Sequence, residues 1–182
     1  VISFSFSRAI SVDRSSGVAT SSSTRRAFVL GLVFSGFTTL SACGEKLEPV
    51  SFSAETDDGV FNSAQHKGDV IYLDFWASWC GPCRESFPWM NEMLAKYEDK
   101  GLKIIGVSLD HDKNLARQFA EEFKAEFTIG FDVGGTIADQ FGVKGLPSSV
   151  IINREGELVE SHTGFNEVQA DEFEEALVKV LN

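Results

Sequence analysis

An α/β fold, with a central β-sheet and helices on both of its faces, is predicted by three features of the sequence. Nearly continuous apolar runs of the buried-strand kind alternate with segments whose apolar residues recur at helical spacing. A strand–turn–strand pattern follows, and an amphipathic helix closes the chain. Elements in that order build a sheet with a helical layer on each side. The 182 residues are enough for one such domain, and 43% hydrophobic with 24% charged residues is a globular composition.

Taken in order, residues 70–77 (VIYLDFWA) form a buried central strand rich in β-branched and aromatic side chains. From Cys83 onward, Phe87, Met90, Leu94 and Tyr97 fall at helical spacing, and Gly101 supplies the stop. Residues 103–109 (KIIGVSL) are a second buried strand. Leu115, Phe119 and Phe123 stripe one face of the next helix. Residues 127–131 predict a short strand and residues 137–141 a short helix. SSVIIN and ELVESH then flank Arg154-Glu155-Gly156, a hairpin signal with glycine where positive φ is tolerated. The last helix sets Phe173, Ala176, Leu177, Val180 and Leu181 against Asp171, Glu172, Glu174 and Glu175.

Charge divides the chain. Residues 1–42 hold four arginines against one aspartate, so the −11 of the whole becomes −14 for residues 43–182. So acidic a body repels phosphate backbones, which excludes nucleic acid as a partner. Residues 27–44 are uncharged, follow Arg25-Arg26 and end in small residues, the layout of an export signal. Gly31 and Gly36 interrupt the apolar stretch and make it a poor spanning helix. The expected organisation is an export signal at 1–42, a polar tether at 43–56 containing Pro49, and the α/β domain at 57–182.

Three cysteines, Cys43, Cys80 and Cys83, do not close a disulfide framework. Cys80 and Cys83 sit between a strand and a helix. Thiol chemistry requires the thiolate, and the positive end of the helix dipole lowers the Cys80 pKa. Pro82 suits the first helical turn, and Gly81 lets another backbone approach closely. Cys83, one turn further in, is placed as the more buried, resolving thiol. Trp79 and Trp76 are read as an apolar rim to the pair, with plain core packing as the alternative for aromatic residues beside a strand. Asp74 lies in a run that otherwise reads as buried. Desolvation raises a carboxyl pKa, so Asp74 is placed to take the proton of Cys83; the alternative is a solvated strand-end carboxylate. Pro147 in GLPSSV is either an ordinary trans turn or a cis bond that puts Leu146 and Pro147 beside the cysteines, where the backbone edge could pair with an extended peptide.

LDFWASWCGPC, containing Asp74, Trp79, Cys80, Gly81, Pro82 and Cys83, resembles the thioredoxin active-site segment. GVKGLPSSVIINREGELV resembles that family's cis-proline, strand and hairpin region. With Phe87-Pro88 in the first helix and an extra helix and strand at 109–131, the chain resembles the exported TlpA/ResA-like branch of membrane-tethered thiol-disulfide oxidoreductases, from about Val60 to Leu181. The resemblance implies a thioredoxin-like fold with a mixed sheet and a helix–strand insertion. It implies reduction of protein disulfides through Cys80 and Cys83, with no metal and no cofactor. Substrate contacts fall on Trp79, Gly81, Pro82 and Leu146. Disulfide-bearing protein clients and a membrane thiol relay as electron donor are the implied partners. Asp74 stands where much of that branch carries Asn, so its role as base is taken from thioredoxin itself. Leu146 replaces the polar or β-branched residue usual before the proline.

At the N-terminus, LSAC (residues 40–43) resembles the lipobox of bacterial lipoproteins, which implies lipidation of Cys43 and attachment to the membrane through that lipid. TRRAFVL resembles a twin-arginine export motif. The expected location is the periplasmic side of a bacterial envelope. Gly44 stands where an inner-membrane retention signal has aspartate, which favours the outer membrane.

Two rival readings use the same cysteines. A Cu(I) metallochaperone could take both thiolates and His162, although a solvated strand-end histidine is the expected state of His162. A thiol peroxidase would attack peroxide with Cys80, but Arg84 alone does not complete such a site. LDHD (residues 109–112) is read as a loop capping the next helix, with a bound cation as the alternative.

Overall fold

The computed structural model describes residues 47–182. The elements run β1 (Ser53–Thr56), β2 (Gly59–Asn62), β3 (Val70–Trp76), α1 (Cys83–Tyr97), β4 (Leu102–Ser108), α2 (Lys113–Glu122), β5 (Thr128–Phe131), α3 (Thr136–Gln140), β6 (Ser148–Ile152), β7 (Leu158–Thr163) and α4 (Glu167–Leu181). The strands form one mixed sheet in the order β2-β1-β5-β4-β3-β6-β7. β3, β4 and β5 are parallel, and the remaining neighbours are antiparallel.

All seven residues of β3 are buried, because the strand is covered on both faces. Its alternation divides the core in two. Val70, Tyr72 and Trp76 pack with Cys83, Phe87 and Met90 of α1, Ala116 and Phe119 of α2, and Phe173 and Leu177 of α4. Ile71, Leu73 and Phe75 pack on the other face with Ile105, Val107, Val150 and the short α3 through Ile137 and Ala138. Helices therefore cover both faces, unequally. A left-handed Gly101, at φ 86°, ends the single 3₁₀ turn that continues α1, and Gly156, at φ 88°, sits in the β6–β7 connection.

Two expectations are corrected. The tether gives way to folded chain from Pro49: Pro49 bridges Glu157, Phe52 and Ala54 are buried, and β1 lies in the sheet between β2 and β5. Only one buried residue, Ala54, marks so short a strand, so its polar composition conceals it. On α2 the buried positions are Ala116 and Phe119, while Leu115 is 48% exposed. The small Ala116 lets α2 approach closely and turns Leu115 toward solvent. The export signal, the arginine pair and Cys43 lie outside the described residues.

Candidate active site

β3 delivers the chain to the site. Residues 77–80 form a turn closed by the Cys80 N–H donating to the Ala77 carbonyl at 3.0 Å. Trp79, in that turn, is 72% exposed, and Gly81 and Pro82 are also exposed. Cys80 and Cys83 are joined as a disulfide. Cys83 opens α1 and has no exposed surface, whereas Cys80 keeps 4%. In the first turn of α1 the Arg84 and Glu85 N–H groups already donate to the Gly81 and Pro82 carbonyls. What the helix offers the Cys80 sulfur is therefore mainly its dipole.

Asp74 is buried within β3, between Gly106 of β4 and Ser149 of β6 in the register. Strand alternation places it with Tyr72 and Trp76 on the face that α1 covers. Its Oδ2 is buried without a hydrogen-bond partner, and burial pushes the carboxyl well above the usual carboxylate range. Tyr72 donates to Ser149 Oγ at 2.8 Å, and its phenol is pushed up by burial and then by Asp74. Pro147, buried and preceded by a cis bond from Leu146, comes just before Ser148, which pairs with Phe75. It thus stands at the same end of the sheet as the disulfide. Leu146 is half-buried.

Three residues depart from expectation. Trp76 is no rim but fully buried core, edge-on to Phe87 with ring centres 4.8 Å apart. His162 is not a solvated strand-end side chain: its ring lies 4.0 Å from that of Phe173, its Nε2 has no partner, and burial lowers its pKa. Among the described residues no three His, Cys, Asp or Glu side chains converge as a metal-ligand group. In LDHD, Asp112 caps α2 by accepting the Asn114 N–H at 2.9 Å. Asp110 is instead 4% exposed and accepts from Ser78, in the turn that carries Trp79. Sequence reasoning missed it because two aspartates two residues apart look equivalent until the end of β4 is fixed.

A mixed sheet that presents a Cys-Gly-Pro-Cys disulfide at the start of a helix, with a buried carboxyl in its central strand, defines a dithiol protein of thioredoxin-like fold. The match to known proteins is more particular: residues 42–177 match the Redoxin family, and the chain belongs to it. It is 34% identical over 114 residues to the thiol-disulfide oxidoreductase ResA of Bacillus thuringiensis subsp. konkukian, covering 63% of this chain and 65% of that protein. The chain thus spans a little under two thirds of that relative's length. ResA of Halalkalibacterium halodurans is 30% identical over 140 residues, covering 76% of this chain and 78% of the relative. Among solved structures, a Chlorobium tepidum chain assigned as thiol:disulfide interchange protein DsbE superposes with a TM-score of 0.72 at 40% identity, covering 75% of this chain and all of that one. The pneumococcal exposed lipoprotein thioredoxin from Streptococcus pneumoniae gives 0.62 at 26% identity, covering 71% of this chain and 99% of that one.

Proposed function

We propose that this protein is an exported, membrane-attached thiol-disulfide oxidoreductase that reduces disulfides of protein clients. The observation that carries the reading is the Cys80–Cys83 disulfide, open to solvent only at Cys80, and the buried Asp74 of β3 supports it. In the dithiol state, the Cys80 thiolate attacks one sulfur of a client disulfide. The client's S–S bond breaks, a Cys80–client bond forms, and the departing client sulfur takes a proton from solvent. Cys83 then gives its proton to the ionised Asp74 and attacks the Cys80 sulfur: the mixed disulfide breaks, the Cys80–Cys83 bond forms, and the departing second client sulfur takes up that proton. Two electrons and two protons pass to the client. A donor dithiol, for which a membrane thiol relay is the proposed source, restores the pair. Trp79, Gly81 and Pro82 form the exposed contact surface, with Leu146 and Pro147 supplying the backbone edge.

Direction and address rest on sequence and relatives. Gly-Pro between the cysteines resembles the reducing members of the fold. The ResA and DsbE names of the relatives support thiol exchange, and the pneumococcal lipoprotein supports a lipid on Cys43. Equilibration with a glutathione series, followed by tryptophan fluorescence, tests the chemistry. The expected result is a reversible two-electron transition near thioredoxin's potential of about −270 mV. A midpoint near about −120 mV would make the protein a disulfide donor, and no transition at all would remove the redox reading. For the address, Cys43→Ala is expected to shift the protein from the membrane to the soluble fraction.

A further inference from the structure

We propose that Asp110 is a positioning residue for the Cys80 nucleophile, fixing the turn that aims Cys80 at the start of α1. The inference rests on the thiol-exchange reading above. Asp110 lies two residues past β4, where the Leu109 N–H is held by the Trp76 carbonyl at 2.9 Å. Its carboxylate Oδ2 accepts from the Ser78 N–H at 2.8 Å and the Ser108 hydroxyl at 2.9 Å, and its Oδ1 accepts from the Ser78 hydroxyl at 2.8 Å. Its own N–H donates to Ser108 Oγ at 3.1 Å. Ser78 and Trp79 are the two central residues of the turn that ends at Cys80.

Both hydrogen-bond donors of Ser78 are therefore committed to one buried carboxylate, and that carboxylate is anchored to Ser108 at the end of a central strand. A solvated turn needs no such clamp. Charge-assisted bonds of this length hold one orientation of the turn, and a small error there misdirects the sulfur relative to the helix dipole. Trp79 projects into solvent from the same turn, so the clamp fixes the nucleophile and the exposed indole together.

Charge and geometry act in opposite directions here, which makes the role separable. An anion held against the turn that ends at Cys80 disfavours a thiolate there, whereas correct aim at the helix favours it. Asp110→Asn removes the charge and keeps the geometry. Its carbonyl oxygen still accepts from the Ser78 N–H and the Ser108 hydroxyl, and its amide donates to the Ser78 oxygen once that hydroxyl turns away. Asp110→Ala removes both charge and clamp.

The test is the pH profile of iodoacetamide alkylation at Cys80 in the full chain carrying Cys83→Ser, assigned by peptide mass so that Cys43 is read separately. Asp74, Arg84, Glu85 and His111 are common to all variants. With Asp110→Ala the midpoint is expected to rise by about one pH unit, a tenfold loss of thiolate at pH below it. With Asp110→Asn it is expected to stay level or fall, and with Ser78→Ala to rise by less than with Asp110→Ala. An unchanged Asp110→Ala profile, or a downward shift shared by Asp110→Ala and Asp110→Asn, overturns the proposal. Should Asp110→Ala fail to fold, an unchanged Ser78→Ala profile overturns it, and a rise with Ser78→Ala but not with Asp110→Asn upholds it. Failure of the underlying reading shows separately, as a parent protein without a reversible Cys80–Cys83 transition in glutathione.

Discussion

Asp74 shows how far one residue type in one position carries. A carboxyl inside an otherwise apolar run is either solvated at a strand end or buried with its pKa raised, and the fold imposes the second state. Asp74→Asn is expected to slow collapse of the mixed disulfide about 100-fold at pH 7, with the loss shrinking as pH rises and Cys83 ionises unaided. Stopped-flow mixing of reduced protein with a model disulfide measures this. The same residue sets a pH dependence of stability. Above the unfolded carboxyl's pKa, near 3.8, the folded state holds a proton that the unfolded chain has lost. Stability therefore falls as pH rises from there until the folded carboxyl ionises, by at most about 1.4 kcal/mol per pH unit. Asp74→Asn is accordingly expected to be more stable than the parent in urea at pH 7 and equal to it near pH 3. The roles of Asp110 and His162 were not legible at this scale. Each depends on which neighbours arrive from another strand or helix, Ser78 for the first and Phe173 for the second.

At the scale of elements, the long buried strands and the two long helices were plain from periodicity alone, because every one of their turns carries an inward residue. The β1–β2 pair was not. Its burial comes from partners distant in sequence: Phe52 meets Phe141 edge-on, with ring centres 5.6 Å apart, and stacks on Phe61 at 5.8 Å. Phe52→Ala is expected to cost about 3–5 kcal/mol in denaturant unfolding, a value foreign to a tether residue. Gly130 in β5 marks the same packing, since an added Cβ would meet the Cβ of Ala54 at 3.0 Å and Val107 Cγ2 at 3.2 Å. Arg84 links the active-site helix to the insertion: its guanidinium lies 5.5 Å from the ring centres of both Phe119 and Phe123, and 3.6 Å from Glu122. Because it is half-exposed, Arg84→Ala is expected to cost only about 0.5–1 kcal/mol, read from the same urea curves.

Over the whole molecule, the acidic body is expected to favour basic clients. With −14 on residues 43–182, the rate of attack on a basic oxidised protein is expected to fall about tenfold between low and physiological salt, while an acidic client shows the opposite trend. Stopped-flow rates across a salt series check it. The described chain also has two poles. Val50 donates to the Gly156 carbonyl and Gly68 to that of Arg154, at the end of the sheet where β3 begins, whereas Trp79 and the sulfurs lie past its end. The seven residues of β3 put roughly 23 Å between those poles. A bead or label coupled through residues 47–49 therefore leaves the sulfurs facing outward and fully reactive. One coupled through Lys144, three residues ahead of Pro147 and exposed, is expected to slow reduction of a protein disulfide, as a rate comparison of the two labelled forms would show.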